Sequence, residues 1–258
     1  MFDSYIFQLS GLSIFIIALA SYLVFLELGF RLGQRGSKTD RLLPQLSRIQ
    51  TSILGLLALM LAFTFSMSIT RFETRKHLIV EEANAIGTAY LRTKLFDDPY
   101  RSDLQNLLRR YLDNRLSFID VGIEEQKIIT LLNQSDEIQL EIWNEVCALA
   151  GHDEKLPIVS LMIQSVNELI DLHTKRLEET INRLPDMILY LIYVITGLGL
   201  ALTGYMAGLD GRRNFIIMFL LAFSFAAVGI TIIDLDRPRR GFVKEQSTSL
   251  LRLRSSLT

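Results

Sequence analysis

The 258-residue chain has little of what enzymes and disulfide-stabilised proteins are built on. Its single cysteine, Cys147, excludes an intrachain disulfide. That cysteine sits within Trp143-Asn-Glu-Val-Cys-Ala-Leu-Ala150, where the pattern predicts a buried structural thiol rather than a nucleophile. The three histidines, His77, His152 and His173, are scattered, and none stands in an HExxH or similar ligand spacing. His152-Asp153-Glu154 reads as a surface turn. No GxSxG, P-loop or GxGxxG is present, so no catalytic constellation and no nucleotide cradle is expected. Strand alternation and hairpin turns are missing throughout. A formal net charge of −1, with no basic stripe carrying aromatics, gives no ground for a nucleic-acid partner.

What the chain has is apolar residues in long runs. Half of it is hydrophobic, with a mean hydropathy of +0.30. Residues 4–26, 49–70, 187–206 and 215–233 form four uncharged blocks, each long enough to cross a bilayer core, which needs roughly 20 apolar residues. The first block lacks a basic leader and a clear cleavage site, so it reads as a span rather than a signal peptide. The five prolines fall outside these blocks and mark helix boundaries, Pro44, Pro99, Pro157 and Pro185 between them and Pro238 after the fourth. The expected fold class is an all-α membrane protein in which a helical soluble domain is inserted between spans two and three. The boundaries read as 1–70 for the first two spans, 71–184 for the soluble domain, 185–233 for spans three and four, and 234–258 for a basic tail.

The chain is organised around residues 51–92. The uncharged half, 51–70, has span length; the charged half repeats Phe72, Ile79, Ala83, Ile86 and Tyr90 as one apolar stripe. No proline interrupts it, which predicts one continuous helix of roughly 60 Å. The soluble domain's first and last helices are expected to continue spans two and three. Asp98 is expected to cap a helix opened by Pro99, Ser135 to cap a restart after Asn133, and Ile158, Leu161, Met162, Ser165, Leu169, Leu172 and Leu177 to face inward. Gly204-Tyr-Met-Ala-Gly208 has the GxxxG spacing of helix contacts, or marks turn glycines. Only Glu27 is ionisable within a span, near its end, where snorkelling accounts for it. Loop charges leave the orientation open.

Leu56, Leu59 or Met60, Phe63 and Met67 form a stripe at steps of three and four. Such stripes usually mean helix packing or lipid contact; the sharper alternative is a hydrophobic constriction gated by dewetting. Glu81 and Glu82 are neighbours on a helix and do not converge, so at least one is expected to be solvated or paired between helices.

The run Ala62-Phe63-Thr-Phe-Ser66-Met-Ser68-Ile-Thr-Arg71-Phe72-Glu73-Thr-Arg75-Lys76 resembles the end of the pore-lining helix of bestrophin channels. There an Ala-Phe pair is followed by Asn/Ser-rich positions and an Arg-Trp-Trp-Glu-x-Arg segment. Phe63 falls on the pore-neck phenylalanine, Ser68 on a family serine, and Arg71 on the family arginine. Phe72 stands alone where bestrophins have two aromatics, so Glu73 and Arg75 come one residue early. Residues 80–92, with Glu81, Glu82 and Asn84, together with Asp234-Leu-Asp236-Arg237-Pro238 after the last span, look still more like the bestrophin-like DUF4239 family of bacterial membrane proteins. That resemblance implies a homo-oligomer, a pentamer, in the bacterial inner membrane, with span two lining a central pore. It implies conduction of inorganic ions, anions such as chloride, past a neck at Leu56, Leu59, Met60, Phe63 and Met67. No enzyme activity, cofactor or calcium site is implied, because the eukaryotic acidic calcium cluster is not recognisable. The rival reading is a membrane-anchored helical sensor or scaffold without a pore.

Overall fold

The computed structural model describes residues 10–36, 42–121, 124–150, 156–211, 213–237 and 248–257. Among them there are eight helices and no strand: α1 (Gly11–Gln34), α2 (Leu42–Thr93), α3 (Tyr100–Asp120), α4 (Glu125–Ala150), α5 (Leu156–Ile181), α6 (Asp186–Asp210), α7 (Phe215–Asp236) and α8 (Thr248–Ser256). α1, α2, α6 and α7 contain the four stretches long and apolar enough to cross a membrane. The described residues divide into two compact units, one of 10–71 and 183–237 and one of 72–182 and 248–257.

In the first unit, α1 starts where the Ser10 hydroxyl accepts the amide of Ser13, and α7 starts where Asn214 accepts that of Ile217. α6 ends on Gly211 in the left-handed region. α1 and α6 pack through paired glycines. A Cβ on Gly29 would lie 1.9 Å from the Ala201 carbonyl oxygen, one on Gly33 2.1 Å from that of Tyr205, and one on Gly204 2.1 Å from that of Leu26. Only hydrogen fits there, so Gly204-xxx-Gly208 is a contact motif, and Gly29-xxx-Gly33 is its partner. The contacts advance together along both helices, so α1 and α6 run parallel. Beside this seam Tyr22, Leu26, Leu200, Ala222 and Ala226 form a small core with α7. Glu27 is ion-paired with Arg31 and Arg213 at the edge of this unit.

The second unit is a helical cluster around Ile79, Ile86, Leu108, Tyr111, Ile142, Met162 and Leu169. α8, within the stretch read as a charged tail, inserts Leu250 into this core, and Arg254 pairs with Asp113 at 2.9 Å.

Several expectations need correction. Asp98 caps nothing: α3 begins after Pro99 without a side-chain cap, and Asp98 pairs with Arg101. α4 runs unbroken through Asn133 and Ser135, because the Ser135 hydroxyl is bonded across to Asn114 Oδ1 at 2.6 Å. α2 is continuous for 52 residues, whereas the stretch Pro157–Asp210, which joins the last helix of the soluble domain to span three, carries a four-residue break between Ile181 and Asp186. Pro185, at the N-cap of α6, supplies the break. Leu161 and Cys147 are exposed rather than buried, at the margins of their helices' apolar stripes. His152 to Glu154 lie outside the described residues.

Candidate functional site

Within the first unit α2 has two distinct faces. Steps of seven and four place Leu57, Thr64 and Ser68 on one side, all buried. On that side Gln50 Nε2 donates to Thr203 Oγ1 at 2.7 Å, and Gly199 of α6 leaves room for Leu54 and Ile53. Leu56, Leu59, Phe63, Ser66 and Met67 lie on the opposite side and are exposed, Phe63 by 65%. Met60 is half-buried and turns toward the packed side. The hydroxyls of Thr64 and Thr70 donate to the carbonyls one turn back, so neither needs an outside partner. The outer face therefore presents Leu56, Leu59 and Phe63 in line, with Met67 and Ser66 flanking.

Where α2 leaves this unit, its charge is neutralised from the far end of the chain. Arg71 lies 3.8 Å from a carboxylate oxygen of Asp236, which has no solvent exposure. The other oxygen of Asp236 accepts the amide of Leu184 at 2.8 Å, just before α6. Asp234 and Arg237 are buried beside it. The C-terminal motif is thus an internal anchor, except for Pro238, which lies outside the described residues.

In the second unit α2 again separates two kinds of residue. Glu73 and Asn84 are exposed, Phe72 is half-buried and Arg75 is buried. Glu81 reaches His77 at 3.5 Å on the surface. Glu82 is completely buried, so the two neighbouring acids do split into one solvated and one interhelix-paired group. Arg115 Nε of α3 lies 2.8 Å from Glu82 Oε1, Arg176 of α5 pairs with Oε2, and the Tyr111 hydroxyl donates to Oε1 at 3.1 Å. Burial pushes the Glu82 carboxyl up, but the charges of Arg115 and Arg176 and the hydrogen bonds outweigh it and hold it below its ordinary range. Gln139 Nε2 of α4 donates to the Tyr111 hydroxyl at 3.3 Å, and His173 Nδ1 lies 3.4 Å from it. Burial, reinforced by Arg115, pushes His173 down to about 4, so it is neutral at pH 7. Burial and then Glu82 raise the Tyr111 hydroxyl, which keeps its proton.

Tyr111, Arg115, Gln139, His173 and Arg176 are absent from the sequence-based set. A signal for three of them was present. Arg115 continues the Leu104, Leu108, Tyr111, Leu112 stripe of α3, and His173 and Arg176 follow Leu169 and Leu172 on α5. A charge on an apolar stripe must find a buried partner, and Glu82, on the Ile79–Ile86 stripe of α2, is that partner. Among the described residues no three His, Cys, Asp or Glu side chains come together as metal ligands.

The architecture has known counterparts. The chain matches a bacterial bestrophin homologue from Klebsiella pneumoniae with a TM-score of 0.67 at 14% identity, over 95% of this chain and 96% of that one. A tryptophan-to-alanine variant of the homologue gives 0.69 at 14% identity, over 99% and 98%. A structure described as a membrane protein with a proline-to-alanine change gives 0.65 at 15%, over 96% and 97%. At these identities the likeness establishes the fold. No curated protein matches the chain. The model of the bestrophin-like domain matches residues 14–250, nearly the whole length, and the chain belongs to the bestrophin-like family of membrane proteins.

Proposed function

We propose that this protein is the subunit of a bestrophin-like ion channel of the bacterial inner membrane. Identical copies, five by the family resemblance, surround one pore lined by α2. The observation that carries this reading is the outer face of α2. Leu56, Leu59 and Phe63 stand exposed while the opposite face of the same helix is packed. A ring of such side chains is a hydrophobic neck, which stops ions when it dewets and passes them when it widens. Met67 flanks the ring, and Met60 sits toward its packed side.

The permeant ions, by the same resemblance, are anions such as chloride. One observation favours cations instead. In its 71–82 stretch α2 directs Arg71 and Arg75 inward and leaves two carboxylates, Glu73 and Glu81, against one cation, Lys76, toward solvent, and rings of carboxylates suit cation pathways. Purified full-length protein in a planar bilayer under a KCl gradient separates these readings by the sign of its reversal potential. Phe63→Ala is expected to raise or deregulate the current several-fold with the oligomer intact. An assembled Phe63→Ala protein that stays as silent as a silent parent would end the channel reading in favour of a sensor or scaffold.

A further inference from the structure

We infer, resting on the channel reading, that Arg48 is the anion-capturing charge at one mouth of the pore, where copies from neighbouring subunits form a ring of guanidinium groups. Between Leu42 and Thr70 α2 carries a single charged side chain, Arg48, and no carboxylate stands on this helix before Glu73. Packing fixes where that charge points. Nine residues at about 100° each make two and a half turns, so Arg48 lies opposite Leu57, which is fully buried. Leu59, in the neck, lies within about 20° of Arg48 around the helix. Gln50 faces the other way and is bonded to Thr203 of α6.

The bond from Gln50 to Thr203 sets the start of α2 beside the end of α6, where α1 also finishes. Two other arginines at this end of the first unit are held by the protein itself. Arg31 and Arg213 are both neutralised by Glu27, and the guanidinium carbon of Arg213 lies 4.9 Å and 3.9 Å from the ring centres of Phe30 and Phe215. Arg48 differs from both. It is exposed, and among the described residues its guanidinium has no ion-pair partner.

The height of this charge suits a mouth rather than a constriction. At roughly 1.5 Å per residue Arg48 stands about 12 Å before Leu56 and about 22 Å before Phe63. A charge in physiological salt acts over about 8 Å. The ring therefore raises the concentration of small inorganic anions at the entrance, where low-dielectric walls focus its field, and leaves dewetting to Leu56, Leu59 and Phe63.

The test uses the full-length protein in vesicles containing phosphatidylglycerol, with reagent on both sides. Cys147→Ser removes the exposed native thiol, and Ser52→Cys places a reporter one turn, about 6 Å, from Arg48 toward the neck. The introduced thiol is modified by an anionic and a cationic methanethiosulfonate, each rate divided by that reagent's rate with a free thiol. In 0.1 M KCl the anionic reagent is expected to be favoured several-fold, and in 1 M KCl the bias should vanish as the screening length falls from about 10 Å to about 3 Å. Arg48→Lys should keep the bias and Arg48→Gln should remove it. The salt dependence reads the same charge without any change at position 48. A thiol facing lipid would meet the negative phosphatidylglycerol surface and favour the cationic reagent. That result, an unreactive thiol, equal rates, or a bias that survives in Arg48→Gln overturns the inference. No current enters this readout. A biased thiol in a protein that stays silent, with Phe63→Ala silent too, would end the channel reading and keep the charged ring. A conducting protein without the bias would keep the channel and remove Arg48 from its mouth.

Discussion

Asp236 accepts the amide hydrogen of Leu184 at 2.8 Å, although 52 residues separate them. The last turn of α7 thereby holds the segment that leads into α6, while the second oxygen of Asp236 faces Arg71 at the exit of α2. Two helices and the approach to a third meet at one carboxylate.

Replacing Asp236 by alanine leaves a buried amide and a largely buried guanidinium without their acceptor. The expected loss is about 2–4 kcal/mol, read as a lower melting temperature of the detergent-solubilised protein by circular dichroism. Asp236→Asn keeps an oxygen for Leu184 and loses the charge, so it falls between the two. Wild-type melting of Asp236→Ala would show that the anchor contributes nothing.

The two adjacent glutamates predict opposite outcomes. Glu82→Ala strands Arg115 and Arg176 inside the second unit, with an expected cost of about 3–5 kcal/mol. Glu81→Ala removes only a surface contact with His77 and should stay within about 0.5 kcal/mol of wild type. Denaturant midpoints of the two variants side by side provide the check. Similar values would contradict the burial pattern of the hub formed by Glu82 with Arg115, Arg176, Tyr111, Gln139 and His173.

Acidification should loosen the same hub. His173 titrates near 4 when folded and near its ordinary value of 6.5 when unfolded. Between those values the unfolded chain binds a proton that the folded one refuses. Stability is therefore complete above pH 6.5 and is lost as pH falls toward 4, by at most about 2 kcal/mol between pH 7 and pH 5. The depressed Glu82 carboxyl has the same sign and adds its loss at lower pH. His173→Gln should flatten the dependence between pH 7 and pH 5; a slope identical to the parent's would assign it to other groups.

Glycine substitutions should divide by what their Cβ would meet. Gly204→Ala drives a methyl group into the backbone of α1 and is expected to cost at least about 1–3 kcal/mol. Gly229→Ala enters open space and gains helix propensity, so it should be neutral or stabilising by about 0.5–1 kcal/mol. Thermal melts of the two variants decide it, and a neutral Gly204→Ala would contradict the close approach of the helices.

Much of this fold is legible in the sequence because bilayer thickness and helical periodicity leave few options. The four apolar runs, the unbroken α2 and the stripes of α3 and α5 follow from charge placement and steps of three and four. The errors have local causes. Asp98 and Ser135 have the right chemistry for caps, but nearby partners, Arg101 and Asn114, engage them instead. The extension of span three into α5 is legible as well, and only the break at residues 182–185, where Pro185 stands, has to be read from the structure. In the site, the outer stripe of α2 follows from spacing, including the placement of Leu56, Leu59 and Phe63, but Met60 and Met67, seven residues apart, point nearly the same way, and spacing alone cannot tell the half-buried one from the exposed one. The partners of Glu82 come from three other helices, and only tertiary structure brings them together.

The glycine seam also constrains the order in which the protein can be made. Ala201, which Gly29 must touch, is synthesised about 170 residues after it, some 10–30 s later at cellular elongation rates. Throughout that interval α1 lacks the helix that covers its glycine face, and the bare strip of backbone there is suited to any other small-residue helix. The same seam that closes the finished unit is, during synthesis, an opening for a wrong partner.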